Sequence, residues 1–353
     1  ERLSYSIFPL SFIKETTFFN RKIDIKDKLT PEKIIPDLKI KSTDLVFYTI
    51  GENLSQKKKA LIPAQLVNRS FSSYLSMRKD INEKNIINSP LTTTGVASHL
   101  DLEEAIINSV YENIERDALI SNFILRISPP TIDVKRISDY DINLILELLK
   151  KYKLTLKIFD ITTDIEIPVI LSAVIDLQNF KPMITFGVSC NLNIKKALIK
   201  SIQEALFIRL SYRTVSQKKN IKINNFENIK SLEERIKYWL NYRNFYLLKY
   251  LFNNNQSINL LDDHLISFKN KKFELNEIVT RLKKRKKEIY FKDITPPFLK
   301  NLGVHCVKSL ITNIQPFYLW ESSKTLNYKR LNEVALFFNL KKIRYNNYPH
   351  FLI

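Results

Sequence analysis

Two glutamates and an arginine lie close together in the segment "SVYENIERDA", residues 109–118: Glu112, Glu115 and Arg116. Each residue of a helix turns by roughly 100°, so these side chains would project from about a third of the helix circumference. Carboxylates three residues apart can bind one hard cation, and Mg²⁺ commonly links protein carboxylates to nucleotide phosphates. The alternative is a solvated face with Glu112–Arg116 as an i,i+4 ion pair, which is the commoner interpretation of an isolated Glu-x-x-Glu-Arg.

A long predicted helix, "HLDLEEAIINSVYENIERDALISNFIL", carries these charges. Asp101 stands at its N-cap and Glu104 follows three residues later, which is the spacing of a capping box. Apolar residues recur every four positions and predict a buried stripe on the face away from the charges: Ile106, Val110 and Ile114.

The remaining pattern alternates helices with strands. Helices are predicted from Ser138, over Asn193–Arg213 and over 233–252. Strands are predicted for "LTLKIFDI", "IPVILSAVI" and "PMITFGV" in close succession, and later for "EIYFKDI" and "VHCVKSLI". This order predicts an α+β layered fold with helices packed on mostly antiparallel sheets.

The charge balance is strongly basic, with 56 Lys+Arg against 36 Asp+Glu and a net charge of +20. Such a balance suggests an anionic partner, and "RLKKRKK", Arg281 to Lys287, is the best candidate patch for nucleic acid. However, the chain has only 4 glycines and uses Lys, Asn and Ile heavily. A genome poor in G and C produces this composition and scatters lysines over the surface, so nucleic acid is not the expected partner.

The positions of the cysteines and the hydropathy pattern further restrict the class of protein. Cys190 and Cys306 are far apart and outside any Cys-x-x-Cys pair, so neither a disulfide framework nor a zinc site is expected. The longest apolar run, Val169–Ile175, is too short to span a bilayer. A reduced, cytoplasmic protein is therefore expected. Because the chain opens at Glu1 rather than Met, we expect upstream sequence to be missing.

No familiar catalytic motif is present. The sequence contains neither G-x-x-x-x-G-K-[ST] nor G-x-G-x-x-G, its histidines have no metal-ligand spacing, and no nucleophile–base pair stands out. No catalytic residue is assigned. The residues by themselves predict an α+β protein with a carboxylate-rich metal site.

Several segments, in order, resemble the signatures of YcaO-domain proteins. "TTTGVASHLDLEEAIINSVYENIERDA" resembles the central signature, a turn with Gly95 and a helix ending in Ser-x-x-Glu-x-x-Glu-Arg. "KIFDITTDIEIPVI" is similar to the strand–turn–strand that follows, and "TFGVSCNLNIKKALIKSIQEALFIRL" to the Gly turn and helix of the third signature. "ERLSYS", at Glu1, resembles the end of the first Ser-x-x-Glu-x-x-Glu-Arg helix.

The last third narrows the resemblance to azoline-forming cyclodehydratases, the streptolysin type among them. "FKDITPPFLKNLGVHCVKSLITNIQPFYLW" is similar to their Asp-Leu-Thr…Pro-Gly-Leu-Gln-Pro block, and "YPHFLI" to their Pro-rich tail. The resemblance extends over essentially the whole chain, which implies one YcaO-like domain over 1–353 with 275–353 as its C-terminal part.

The resemblance implies ATP- and Mg²⁺-dependent cyclodehydration of Cys, Ser or Thr in a ribosomally made precursor peptide, by phosphorylation of the backbone amide oxygen. It implies as metal ligands Glu1, Glu112, Glu115 and Glu204. It implies as nucleotide-binding residues Ser109, Glu112, Glu115, Arg116 and Glu204. A separate leader-peptide-binding protein is the expected partner, and a flavin dehydrogenase and a homodimer are further candidate associations.

Three positions depart from the family pattern. Phe207 stands where the third signature has Gln, and it can neither donate nor accept a hydrogen bond. Thr94 stands where the turn usually has Asn, and the tail keeps only Pro349. These departures support an alternative, a non-catalytic YcaO scaffold or helper subunit of a peptide-modifying complex.

Overall fold

The computed structural model describes residues 25–36, 38, 46–67, 93–133, 140–178, 182–217, 229, 231–258, 268–319, 321 and 324–351. The chain divides into two compact units. The first unit holds the described parts of Glu1–Asn113, Phe268–Phe317 and Thr325–Asn327, and the second those of Ile114–Ser267, Tyr318–Lys324 and Tyr328–Ile353. The single domain expected over 1–353 stays a prediction.

The described elements follow one another along the chain as an irregular mixture of strands and helices. The strands are β1 (Tyr48–Asn53), β2 (Lys58–Pro63), β3 (Val96–His99), β4 (Thr131–Ile132), β5 (Thr155–Asp160), β6 (Val169–Ile175), β7 (Ile184–Cys190), β8 (Ser257–Ile258), β9 (Ile289–Asp293) and β10 (His305–Ile311). The α-helices are α1 (Ala64–Val67), α2 (Leu102–Leu125), α3 (Tyr140–Lys151), α4 (Ile194–Gln217), α5 (Leu232–Leu240), α6 (Lys271–Lys284), α7 (Pro297–Lys300) and α8 (Tyr328–Phe337). Two 3₁₀ helices cover Pro31–Lys33 and Tyr242–Phe252.

The first unit is built on a five-stranded sheet of order β2-β1-β9-β10-β3, in which the described pairs are antiparallel. Apolar side chains of its strands and of the preceding segment form a buried core: Leu29, Ile35, Phe47, Ala60, Ile62, Tyr290 and Leu310. β3 is an edge strand of this sheet and leads directly into α2.

The second unit contains a sheet of order β7-β6-β5-β4-β8. The neighbours from β4 to β7 are antiparallel, and the short pair β4–β8 is parallel. Every residue of β6 and of β7 is buried, and α3 and α4 pack beside the sheet in an apolar cluster: Ile142, Ile158, Ile170, Ala197, Leu198 and Ile202. These elements confirm the three successive strands and the helix that the hydrophobic pattern predicts.

The long helix α2 begins in the first unit and ends in the second. Its predicted cap is confirmed, because the backbone N–H of Glu104 donates to Asp101 Oδ1 at 2.8 Å. The predicted stripe of Ile106, Val110 and Ile114 is buried. Cap and stripe together fix which face of α2 carries the glutamates.

One predicted helix is interrupted. The segment 233–252 forms α5 and a separate 3₁₀ helix, because Asn241 between them has an extended backbone (φ −75°, ψ 106°). The Asn241 side chain accepts a hydrogen bond from the N–H of Arg243 and so caps the second element. The pattern did not predict the hairpin β1–β2, α6 or α8. None of the described helices is both long and apolar enough to cross a membrane.

Candidate functional site

The turn before β3 fixes the carboxylate of Glu112. Gly95 has φ +80°, and its N–H donates to Glu112 Oε2 at 2.9 Å. A Cβ at Gly95 would lie 2.4 Å from Asn113 Nδ2 and 2.5 Å from the carbonyl oxygen of Ser309. Only glycine combines this backbone conformation with this close approach. The Gly of the central signature is therefore what lets the turn meet α2 at Glu112.

Lys308 of β10 brings a buried positive charge to the same turn. Its ammonium donates to the carbonyl oxygen of Thr94. Burial lowers the pKa of Lys308 to about 8, and the charge of Glu112 opposes the shift. Lys308 was not among the predicted site residues, although a lysine inside the apolar strand "VHCVKSLI" is unusual for a core position and was a visible signal.

Glu115 and Arg116 belong to the second unit, and their side chains are only 13% and 14% exposed. The solvated-face alternative for these two residues is therefore wrong. Arg116 Nε lies 3.7 Å from Glu115 Oε1, so the charges are neighbours on the helix. The pKa of the Cys190 thiol is raised, mainly by burial and then by the charge of Glu115.

Glu204 of α4 reaches the same strand. The N–H of Val188 in β7 donates to Glu204 Oε2 at 2.6 Å. The helix can approach β7 closely because the residue before Val188 is Gly187. A Cβ at Gly187 would lie 2.1 Å from the carbonyl oxygen of Ser201 in α4. Gly187, the glycine of the third signature, thus has the same role as Gly95. Each glycine allows a helix to pack closely, so that a glutamate of that helix can accept a backbone N–H.

Two other predicted residues have different surroundings. Ser109 is fully buried, and its hydroxyl donates to the carbonyl oxygen of Ile106 in the preceding turn at 2.7 Å. The Phe207 ring is 70% exposed. The nucleotide-binding role that the family resemblance implies for Ser109 stays a prediction. The weak ATP binding expected from Phe207 stays a prediction as well.

Each unit contributes one carboxylate whose Oε2 accepts a hydrogen bond from a backbone N–H, Glu112 in the first unit and Glu204 in the second. Carboxylate oxygens are the ligands that Mg²⁺ prefers. No group of three or more His, Cys, Asp or Glu side chains in the described ranges could hold a metal. Mg²⁺ bound with a nucleotide needs only one or two carboxylates, since phosphates and water supply the rest. Glu1 lies outside the described residues, and the metal assignment of all four glutamates stays a prediction.

A buried ion cluster follows directly after Arg116 in α2. Arg330 of α8 donates to both oxygens of Asp117, with Nη2 to Oδ2 at 2.7 Å, and Nη1 donates to Asp164 Oδ1 at 2.6 Å. Although burial by itself would lower the pKa of Arg330, the two carboxylates raise it. Neither aspartate was among the predicted site residues. Neither spacing nor periodicity connects them to an arginine more than 150 residues away.

The tail that resembles the family's Pro-rich terminus is anchored in the second unit. Phe351 stacks on Phe186 of β7 with ring centroids 4.1 Å apart. His350 Nε2 lies 3.1 Å from Arg235 Nη1 and 2.8 Å from the carbonyl oxygen of Tyr318. These contacts hold the end of the described chain against the strand that bears Val188.

The basic segment 281–287 is partly structural. Lys287 is buried and donates to the carbonyl oxygen of Asn313 at 2.9 Å, and Arg281 pairs with Glu277 at 2.7 Å. Leu282 belongs to the buried interior. These contacts account for part of the basic run without nucleic acid.

Comparison with known proteins identifies a family model and related folds. The model described as YcaO cyclodehydratase, ATP- and Mg²⁺-binding, matches residues 24–315. No curated protein matches the sequence.

Three solved structures show the same layered fold. A heterocyclase in complex with substrate and cofactor has a TM-score of 0.72 at 16% identity, over 96% of this chain and 45% of that chain. YcaO from Methanopyrus kandleri, bound with AMPPCP and Mg²⁺, has a TM-score of 0.61 at 16% identity, over 91% of this chain and 75% of that chain. The E. coli microcin synthetase McbBCD complex has a TM-score of 0.50 at 18% identity, over 76% of this chain and 64% of that chain.

These likenesses confirm the predicted α+β layered fold. The chain spans less than half the length of the heterocyclase that it matches.

Proposed function

The chain belongs to the YcaO cyclodehydratase family, and on that premise we propose that it converts Cys, Ser or Thr of a ribosomally made precursor peptide to thiazoline or oxazoline at the expense of ATP. The observation that carries the proposal is the pairing of two signature glutamates with backbone N–H groups of two signature segments: Glu112 with the N–H of Gly95 in the turn before β3, and Glu204 with the N–H of Val188 in β7. Carboxylates held in this way are suited to bind a metal–nucleotide complex without reorganising.

The proposed reaction is balanced by the hydrolysis of one ATP. The side-chain thiol or hydroxyl of the peptide loses its proton as its sulfur or oxygen attacks the preceding amide carbonyl carbon. The resulting oxyanion accepts the γ-phosphoryl group of ATP, and ADP leaves. Phosphate then leaves with the former carbonyl oxygen, the amide nitrogen loses its proton, and a C=N bond closes the ring. Bound Mg²⁺ would neutralise charge on the transferring phosphoryl group.

The residues of this chain would act on the nucleotide. We assign Mg²⁺ binding to Glu112, Glu115 and Glu204, together with Glu1, and support of the nucleotide to Ser109 and Arg116. Gly95 and Val188 supply the N–H donors that orient two of the carboxylates. Lys308 would stabilise the turn, since its ammonium donates to the carbonyl oxygen of Thr94.

Partner proteins belong to the same proposal. The similarity to a chain of the McbBCD complex supports assembly with other proteins. We expect a separate leader-peptide-binding subunit, and we retain a flavin dehydrogenase and a homodimer as associations to be tested. Because ATP is an intracellular nucleotide, the cytoplasm is the expected location.

Glutamine substitutions test the metal site. Replacing Glu112, Glu115 or Glu204 singly by Gln should abolish Mg²⁺-dependent ATP binding in calorimetry, since Gln keeps the shape but loses the charge that a hard cation requires. The fold should persist, because the Gln amide oxygen can still accept the N–H of Gly95 or Val188. Glu103→Gln, on the exposed first turn of α2, is the matched control and should bind normally. Normal Mg²⁺-ATP affinity in all three site variants would contradict the assignment.

A non-catalytic scaffold is the second candidate, and Phe207 favours it. Where the family has a Gln that can contact the nucleotide or the water shell of the metal, this chain offers an exposed ring. ATP hydrolysis stimulated by precursor peptide, with the loss of one water per ring in mass spectrometry, distinguishes the two candidates. Binding of peptide or partner without any turnover would favour the scaffold.

A further inference from the structure

Strand β3 ends its sheet, and no other described strand pairs with its outer edge. The N–H of Ser309 donates to the carbonyl oxygen of Gly95 at 2.8 Å, and the register pairs Val307 with Ala97. Antiparallel partners alternate between bonded and non-bonded pairs, so Gly95, Ala97 and His99 face β10. The backbone groups of Val96 and Ser98 then point away from the sheet.

A second bond confirms this alternation. The N–H of Ile294 in the segment after β9 donates to the carbonyl oxygen of Cys306, so the backbone of Cys306 faces β9 rather than its partner Ser98. The N–H of Val96 is used in the turn, where it donates to Thr93. The carbonyl of Val96 and both the N–H and the carbonyl of Ser98 remain directed outward.

The other edge strands of more than two residues in the described ranges are partly paired or buried. At β2, the N–H of Leu29 donates to the carbonyl oxygen of Leu61 at 2.9 Å, and the N–H of Leu61 donates to Asp27 at 2.8 Å. At β7, every residue is buried. Among the edge strands of more than two residues in the described ranges, β3 is the one that is mainly exposed. Proteins usually cover or block such an edge, because it can pair with another strand.

The neighbourhood of this edge suits an extended peptide. Val96 is 40% exposed, and Leu100 and Leu102 beyond the strand are exposed apolar residues as well. The strand starts at Gly95, whose N–H is bound to Glu112. A peptide paired along β3 would therefore run past the turn that holds a proposed Mg²⁺ ligand.

We propose that β3 binds an extended segment of the precursor peptide as an added strand, an inference that rests on the proposed function. Main-chain pairing does not depend on the side chains of the guest, so it can present different Cys, Ser or Thr positions to the same site. The proposed reaction also changes backbone groups of the bound peptide, namely a carbonyl and an N–H.

The reaction would weaken this pairing. Ring closure removes the carbonyl oxygen of one peptide group and the hydrogen of its nitrogen. These two groups point to opposite sides of an extended chain, so one of them faces β3 before the reaction. The product then lacks one hydrogen bond of the ladder. Loss of one such bond lowers affinity by about two- to tenfold, which favours the exchange of modified for unmodified segments.

Proline at Ser98 tests the edge. Proline is tolerated on edge strands where the N–H faces solvent, and Ser98 donates no N–H to β10, so Ser98→Pro should fold with an unchanged unfolding midpoint. It should weaken binding of an uncharged synthetic peptide of repeated Gly-Ser-Val units by about tenfold, measured by fluorescence anisotropy of the labelled peptide. Ser98→Ala, which keeps the backbone donor, is the matched control and should bind like the wild type. An uncharged probe avoids non-specific attraction to a chain of net charge +20.

Hydrogen exchange on the wild-type protein gives an independent reading, which holds even if Ser98→Pro fails to fold. The amide of Ser98 should exchange fast in the free protein and become protected at millimolar peptide, while the amide of Ala97 should be protected in both states.

Peptide binding that leaves Ser98 unprotected overturns the proposal, and so does wild-type affinity in Ser98→Pro. No binding at millimolar peptide also overturns it. Normal Mg²⁺-ATP binding in the same sample would then leave the proposed function standing, whereas loss of Mg²⁺-ATP binding alone would count against that function and not against the edge.

Discussion

Phe207 is the residue at which this chain departs most clearly from its family, and its position makes the departure testable. The ring is 70% exposed, so Phe207→Gln should cost little stability. If the remaining ligands are in place, the new amide should raise ATP affinity by roughly ten- to a hundredfold, which corresponds to a hydrogen bond to a charged group. Calorimetric titration with Mg²⁺-ATP measures the change.

Leu210 provides the control for this substitution. It lies one turn further along α4 and is 64% exposed, so Leu210→Gln makes the same chemical change outside the signature position. An equal gain in both variants would show that the effect is unspecific. Tight Mg²⁺-ATP binding by the wild type, with Phe207 stacked on the base, would refute the idea of a weakened site and favour the enzyme.

At the scale of elements, Arg330 joins α8 to α2 and to the turn after β5, through Asp117 and Asp164. Arg330→Met would leave these carboxylates buried without the guanidinium, and breaking a buried ion pair in this way costs about 3–5 kcal/mol of unfolding free energy. Chemical denaturation measures the loss. Lys329→Met, at the exposed neighbouring position of α8, should change stability by less than about 0.5 kcal/mol. Equal stability of the two variants would show that the cluster contributes nothing to the fold.

Elements were predictable where the signal was local. The cap at Asp101, the stripe along α2 and the three strands β5 to β7 all follow from patterns within a few residues. The break at Asn241 also had a local signal, since Asn commonly caps a helix, but the apolar run on both sides hid it. Pairs such as Lys308 with Thr94 or Arg330 with Asp117 were not predictable, because 214 and 213 residues separate the partners and only the folded chain brings them together.

The whole molecule combines a net charge of +20 with a buried histidine, and both make its stability depend on pH. Burial, and then the charge of Arg235, lowers the pKa of His350 well below its usual value of about 6.5. Below that pH the unfolded chain binds a proton that the folded chain does not, so the unfolding free energy falls as pH falls and is unaffected at higher pH. The slope from this one group approaches about 1.4 kcal/mol per pH unit.

His350→Gln should remove that slope. Denaturation curves of both proteins between about pH 5 and 8 would then show that their difference in unfolding free energy becomes smaller as pH falls. Parallel curves for wild type and variant would mean that folding leaves the pKa of His350 unchanged. Self-repulsion of the remaining positive charge should lower the stability of both proteins at acid pH in the same way, so it cancels in the difference.

The bond from Gly95 to Glu112 also makes one backbone amide a natural spectroscopic probe. Glycine amides resonate in a separate region of a nitrogen–proton correlation spectrum, and this chain has only 4 glycines, so its glycine region is nearly empty. The Gly95 signal would sense any change in the charge on Glu112, since the amide N–H of Gly95 donates its hydrogen bond to that carboxylate. Occupancy of the site could then be followed in the intact protein by a single resonance, without labelling a side chain or adding a fluorophore.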